Sequence, residues 1–291
     1  HKHFDAIKER LVPLIARVNA KPKMHTYALR RTIDVATQHT FNEKVAKMIG
    51  YDFDKGRLNI STHPMTLCFG RITTRYSDDW FDAISATMHE AGHAMYEHGL
   101  PTEHFGTPLG YSRSMSVHES QSRLWENHVG KSLKFWTFLL PHAQEAYESL
   151  DGVTLDVLYN AMNAAESGLI RTKADELTYT MHVILRTEIE TGLMDGSVDV
   201  DGLPGLWNEK MQKYLGIVPP TDSEGVLQDI HWSDGSFGYF PTYTLGSMIS
   251  AQLVDAAEQD IPDLMGRIQK GSFSALHGWL HENVHRHGQR Y

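Results

Sequence analysis

Apolar residues recur at helical spacing through most of this chain, and the punctuation between them divides it into helices. FDAIKERLVPLIARV (4–18) carries a helical apolar stripe, with Pro13 as a kink. TIDVATQHTFNEKVAKMIG (32–50) reads as a helix closed by Gly50. The period then changes. RLNIS (57–61) and RITTRY (71–76) are rich in β-branched and aromatic residues and predict a small sheet or hairpin. From Ser77 the helical period returns. Ser77 suits a cap, Asp78 and Asp79 suit a first turn, and WFDAISATMHEAGHAMYEHG ends at Gly99 with Pro101 beyond it. SVHESQSRLWENHVGKSLKFWTFLL (116–140) is a further helical stretch, and 154–191 reads as two helices or one interrupted helix. Segments 216–225 and 229–243 read as loops, the second rich in Gly and aromatic residues; three helical stretches finish the chain, the last around 273–286. With no repeat, low-complexity tract or linker, the expectation is one mainly α-helical domain over 1–291, with a small β element.

Composition narrows the function. The 291 residues carry a formal charge of −9, which disfavours a nucleic-acid or anionic-membrane partner. No apolar run is long enough to span a bilayer, and the mixed, charged residues HKHFDAIKERL do not read as a signal peptide. Cys68 is the one cysteine, so an internal disulfide and a Cys-rich zinc site are both excluded and a cytoplasmic protein is expected. Histidine is abundant at 18 residues, so any His motif needs a second line of support.

His89-Glu90-Ala91-Gly92-His93 matches H-E-x-x-H. Residues four apart share a helix face, so both imidazoles can aim at one ion. Glu90 beside them can take a proton from water and pass it to a leaving amine. A second match, His281-Glu282-Asn283-Val284-His285, lies near Arg286, His287 and Arg290 and reads as a solvated helix end. The first match sits among Ala83, Ile84, Ala86, Met88, Ala94 and Met95, as a buried helix should, and is the expected metal site. A catalytic zinc takes three protein ligands and keeps one place open. Glu119 is the candidate third ligand, with His118 and Glu126 as competitors; Ser116-x-x-Glu119 is also a capping-box pattern, so Glu119 could instead close a helix start.

With these residues in hand, the chain resembles the thermostable carboxypeptidase (carboxypeptidase Taq) family of metallocarboxypeptidases. His63-Pro64-Met65 resembles its H-P-F element, and Arg71-Ile72-Thr73 resembles the end of its D-x-R-x-T element. His118-Glu119-Ser120-Gln121-Ser122 resembles H-E-S-x-S, Ile170 to Asp175 resembles I-R-x-x-A-D, and Gly225 to Trp232 resembles G-x-x-Q-D-x-H-W. The motifs run in family order across nearly the whole chain. Two positions depart from the pattern: Met65 replaces Phe, and Phe69 stands where D-x-R-x-T has its Asp. Members of the family are longer, and most of the helical stretch that precedes these motifs has no counterpart here.

The resemblance implies a helical metallopeptidase, zinc with cobalt as a substitute, a homodimer, and stepwise removal of C-terminal amino acids from peptides with a free C-terminus. It makes Glu119 the third ligand beside His89 and His93, with Glu90 as general base. Arg171 becomes a candidate for the substrate carboxylate, where a planar guanidinium binds bidentately; the rival reading is an ion pair with Asp175, four residues on. Arg71 and Tyr239 are further substrate-binding candidates. Similarity to helical metallopeptidases with a His and two Tyr at comparable spacing implies that His231 and Tyr243 stabilise the transition state; ordinary aromatic packing is the rival. A strand such as RITTRY could also pair with substrate backbone. Two other functions fit the same residues: a helical zinc endopeptidase or dipeptidase, and a truncated, non-catalytic peptide-binding fragment.

Overall fold

A computed structural model describes residues 2–290. It is mainly helical, as the apolar period predicts, and its chain gathers into two compact units. None of its helices is long and apolar enough to cross a membrane, among the described residues.

One unit is discontinuous in sequence: the segment through Met24 and the segment Asn163–Thr244. The first segment supplies α1 (Lys2–Asn19), which includes Pro13. The unit's other helices, numbered in chain order, are α7 (Glu176–Asp195) and α8 (Leu203–Leu215). Their core is Ile15 with Met181, Ile184, Leu185, Ile189, Trp207, Met211 and Leu215. Asp175 caps α7 by accepting from the backbone N–H of Leu177 (2.9 Å) and Thr178 (3.1 Å). The expected helical stretch 154–191 therefore breaks between Met162 and Asp175.

The other unit holds His25–Met162 and Leu245–Tyr291. It opens with α2 (Val35–Ile49), capped by Asp34 and ended by Gly50 at φ 113°. A three-stranded sheet follows, with β1 (Leu58–Ile60), β2 (Met65–Leu67) and β3 (Arg71–Thr74) in the order β1-β3-β2. β1 and β3 are the two expected strands, but they pair in parallel rather than as a hairpin. β2, not expected from the sequence, pairs antiparallel with β3. At three residues it is shorter than the runs of about four to eight from which a strand can be read.

Next come α3 (Trp80–Gly99) and α4 (Met115–Arg123), then a π-helical turn over Leu124–Val129 and α5 (Leu133–Ala146). α6 (Leu155–Met162), most of α9 (Pro241–Asp260), α10 (Leu264–Gln269) and α11 (Ser274–Asn283) complete the unit. Two expected caps are displaced. Asp79 rather than Ser77 caps α3, accepting from Asp82 N–H at 3.0 Å. Ser114 rather than Ser116 caps α4, accepting from Val117 N–H at 3.2 Å. Ser116 and Glu119 therefore both lie inside α4, and the capping-box reading of Glu119 falls away.

α3 buries Ile84, Met88, Ala91 and Met95, a stripe at helical spacing, in which the Ile and the two Met side chains each contribute about 1.5–3 kcal/mol. Gly92 interrupts an otherwise complete face for a packing reason. A Cβ there would stand 2.6 Å from the carbonyl oxygen of Gln121 and 2.8 Å from Ser122 Cα. α4 lies against bare α3 backbone at this point.

The second H-E-x-x-H match does not lie on one helix. α11 stops at Asn283, so His281 and His285 do not share a helix face. Nor is the segment wholly solvated: His285 is buried, with Nε2 2.9 Å from Gln121 Oε1. Burial, reinforced by His277 and His281, pushes its pKa down to about 3. Burial pushes His182, in the other unit, down to about 3 as well.

Two outcomes follow. Gly92→Ala gains helix propensity but forces two backbones apart, so urea titration should find it less stable by about 1–2 kcal/mol. As pH falls, the unfolded chain protonates these histidines near 6.5 while the folded chain resists down to about 3, so stability drops as pH falls through this window. Carboxylates held low in the fold, such as Glu126, add to the loss only below their ordinary value of 4.5, which leaves pH 4.5–6.5 to the histidines. His285→Gln, which keeps an amide donor toward Gln121, should flatten the stability slope there; an unchanged slope would contradict this origin.

Candidate metal centre

α3 and α4 meet side by side at Gly92, and the residues that flank the contact converge. His89 and His93 from α3 and Glu119 from α4 each offer one atom, all within 4.8 Å of one another. Glu119 Oε2 lies 3.4 Å from His93 Nε2 and 3.8 Å from His89 Nε2. Of Glu119, His118 and Glu126, the geometry places only Glu119 in this cluster.

The two competitors lie one layer out. Glu126 Oε2 accepts from His89 Nδ1–H at 2.8 Å. An ionised carboxylate is acceptor-only, so Nδ1 keeps its proton, and it is Nε2 that loses its own when a metal binds and turns its lone pair to the cluster. His93 Nδ1 lies 2.6 Å from His118 Nδ1, and His118 Nε2 lies 2.7 Å from Glu97 Oε1. His118 Nε2–H donates to Glu97 and its Nδ1 accepts from His93 Nδ1–H, which turns His93 Nε2 inward in the same tautomer. Such outer partners orient the ligands of metal sites and raise their basicity. The π-helical turn after α4 carries Glu126, a backbone irregularity frequent at functional sites.

Arg123 ties the two carboxylates together. Its Nε donates to Glu119 Oε1 at 2.8 Å and its Nη1 to Glu126 Oε2 at 3.2 Å. Burial alone would raise both carboxyls. His89 and Arg123 outweigh it for Glu119, which is held well below the carboxylate range, and Arg123 and His89 hold Glu126 at about 2. Burial likewise works against charge on His89, but Glu119 and Glu126 overcome it and raise the imidazole to about 9. Burial holds His93 low. The Arg123 guanidinium and the protonated His89 thus face two carboxylates, and a divalent ion that displaces the His89 proton leaves the cluster with charge to balance it. Two imidazole nitrogens and one carboxylate oxygen, pre-aimed in this pocket, fit a divalent ion.

Glu90 is buried beside the ligands. The Thr66 hydroxyl of β2 lies 2.6 Å from its Oε2 and 3.0 Å from its carbonyl oxygen. The small sheet thus holds the candidate general base. Thr66 was not foreseen, because nothing in local spacing ties residue 66 to residue 90. Arg123 was also missed, although it lies one helical turn after Glu119. Arg71 is exposed at the start of β3.

The remaining candidates belong to the discontinuous unit. Arg171 is buried, and Asp175 is not its partner. Its Nε and Nη2 donate to Asp229 Oδ1 (2.9 and 2.7 Å), and its Nη1 donates to the Tyr179 hydroxyl (3.1 Å). Arg186 Nε donates to Asp229 Oδ2 at 2.6 Å. Burial opposes charge on Asp229, but Arg186 and Arg171 keep it below the usual carboxylate range. Gln228 Oε1 accepts from the Arg171 backbone N–H at 2.8 Å, so the I-R-x-x-A-D and G-x-x-Q-D-x-H-W segments interlock. The Arg171 guanidinium stacks 4.7 Å above the Tyr243 ring. Tyr243 Oη lies 3.0 Å from His231 Nε2, and the Tyr239 ring packs 5.4 Å from each of theirs.

Comparison with known proteins agrees with this geometry. The family model for carboxypeptidase Taq (M32) metallopeptidases matches residues 1–291. Thermostable carboxypeptidase 1 of Thermus thermophilus is 44% identical over 294 residues, covering 99% of this chain and 58% of that protein. Carboxypeptidase 1 of Bacillus subtilis is 41% identical, covering 99% and 59%. Among solved structures, an M32 carboxypeptidase from Deinococcus radiodurans superposes with a TM-score of 0.95 at 44% identity, covering 99% of this chain and 59% of that one. Metallocarboxypeptidase 1 of Trypanosoma cruzi gives 0.92 at 34% identity, covering 99% and 62%. The chain spans about 58–60% of the length of the curated relatives it matches. Membership implies a divalent metal, and the His-His-Glu cluster could hold one: the chain belongs to the carboxypeptidase Taq (M32) family of metallopeptidases.

Proposed function

We propose that this chain is the metal-bearing part of a zinc-dependent metallocarboxypeptidase that removes C-terminal amino acids from peptides. The observation that carries the reading is the convergence of His89 Nε2, His93 Nε2 and Glu119 Oε2 beside a buried Glu90. Two imidazoles and a carboxylate are the donor set of zinc peptidases, and cobalt accepts the same donors. His89, His93 and Glu119 would hold the ion, which when bound would supply Lewis acidity toward a water and the scissile carbonyl.

The remaining work falls to side chains. Glu90 accepts the proton of the attacking water and returns it to the leaving amine. Thr66 fixes the rotamer of Glu90 through its 2.6 Å hydrogen bond, so the carboxylate need not reorganise between the two transfers. Glu126 and His118 keep His89 and His93 in the tautomer whose Nε2 is a ligand. For His231 and Tyr243 the proposed role is hydrogen bonding to the oxyanion, supported by family resemblance and by their mutual 3.0 Å bond. Tyr239 and Arg71 are proposed substrate contacts. Arg171 is proposed to act on the substrate side as well, and its ties to Asp229 and Tyr179 support a holding role over a direct one. The resemblance further supports a homodimer, and a single exposed cysteine supports a cytoplasmic setting.

Zinc-loaded protein should release the terminal amino acid from N-blocked dipeptides and lose that activity to a chelator. Amidating the substrate's C-terminus should abolish cleavage; brisk cleavage of amidated substrates would point to an endopeptidase. Glu90→Gln should lower kcat by about 10²–10⁴ while retaining metal, and full activity in this variant would sink the assignment. Glu119→Gln should weaken metal binding in a competition titration with a coloured chelator.

A further inference from the structure

Glu119 does not offer its two oxygens equally. Oε2 faces both histidine Nε2 atoms, while Oε1 accepts from Arg123 Nε at 2.8 Å. The side chain is also gripped from behind. A Cβ on Gly246 of α9 would stand 2.6 Å from Glu119 Cγ and 2.7 Å from its Cβ, so helix backbone presses on the aliphatic part of the ligand. The stem of the side chain has little room to shift, and the Arg123 hydrogen bond on Oε1 opposes rotation of the carboxylate. Arg123 is equally constrained. Its Nη1 donates at 3.2 Å to Glu126 Oε2, the atom that also holds His89 Nδ1. Moving the guanidinium would leave buried carboxylates without their counter-charge, a costly change.

Carboxylates bind metals through one oxygen or two. A catalytic zinc works with a place left for water and substrate, and a second Glu119 oxygen would fill it. We propose that Arg123 is a positioning residue that confines Glu119 to a single metal-facing oxygen, and so keeps one coordination place open. Its fork makes it suitable. Two donors on a rigid plane hold Glu119 and Glu126 together, whereas a lysine ammonium at this position would favour one carboxylate over the other. The inference rests on the metal-centre reading above and adds to it what sets the coordination number.

The test uses the 291-residue chain loaded with cobalt(II), whose visible bands weaken as coordination rises from four to five, together with X-ray absorption at the metal edge. The unsubstituted protein should show one carboxylate oxygen on the metal. Arg123→Met should gain an oxygen donor, with weaker bands, and should bind metal no less tightly, since a nearby positive charge is gone. Its kcat should fall by about 10–100-fold with KM shifted less than about threefold. Arg123→Lys, which can still reach Oε1, should lie closer to the unsubstituted spectrum. A residue that merely supported the fold would lower metal affinity and leave the loaded spectrum alone. An unchanged cobalt spectrum in Arg123→Met overturns the proposal. If that variant does not fold, X-ray absorption of the unsubstituted protein decides, and two Glu119 oxygens on the metal overturn it. A chain that binds no metal overturns the metal-centre reading itself; a loaded chain with two-oxygen coordination overturns this inference alone.

Discussion

At Gly92 the backbone of α4 touches α3 with no side chain between them. The donor atoms of Glu119 and of the two histidines can share one small volume only because the helices come this close. A methyl group at Gly92 would push them apart by more than the tolerance of a metal–ligand bond. The outer layer depends on the same approach. Glu126 reaches His89 and His118 reaches His93 across the α3–α4 seam, at 2.8 and 2.6 Å. The placement of Glu90 adds the sheet as a third support, because Thr66 ties its carboxylate to β2.

Charge is arranged as tightly as shape. A buried carboxylate, Glu119, and the part-buried Glu126 and Arg123 are held together, an arrangement that in isolation would be less stable than apolar packing. It persists because each charge is hydrogen-bonded to a neighbour and because a cation is the natural complement of the excess. The discontinuous unit repeats the theme with opposite sign, with two arginines sharing the one carboxylate of Asp229. There the excess positive charge is spread over aromatic faces: Arg171 lies over Tyr243 and Arg186 over Trp207. In both units a polar cluster anchors segments that local hydrophobic pattern alone would leave loose.

Much of this was legible before any coordinates. The buried stripe of α3 is a local property, so the helix carrying HEAGH could be read from spacing, as could the preference for it over HENVH. Glu119 needed more, since Ser116 offered a false cap and only the family motif favoured a ligand. What escaped was long-range or conformational. Arg171 has a plausible partner one turn away in Asp175, but Asp175 is consumed by capping α7, and the real partner lies far along the chain at Asp229. His118 and Glu126 were recognised as metal-site chemistry, yet which of three neighbouring acids and bases joins the histidine cluster depends on the phase of α4 and on the π-helical turn behind it. β2 escaped because a three-residue strand has no period.

The order of the chain gives α1 an unusual history. Its partners in the core, α7 and α8, are made only after all of His25–Met162 has been synthesised. Synthesis proceeds at roughly 5–20 residues per second, so α1 waits seconds for the core partners it has in this unit. Closing so long a loop is entropically mild, but such non-local contacts form slowly. The metal-bearing elements α3 and α4, adjacent in sequence, can meet during that interval. Docking of α1 is thus a long-range step that waits on α7 and α8, whereas the contact of α3 with α4 is local.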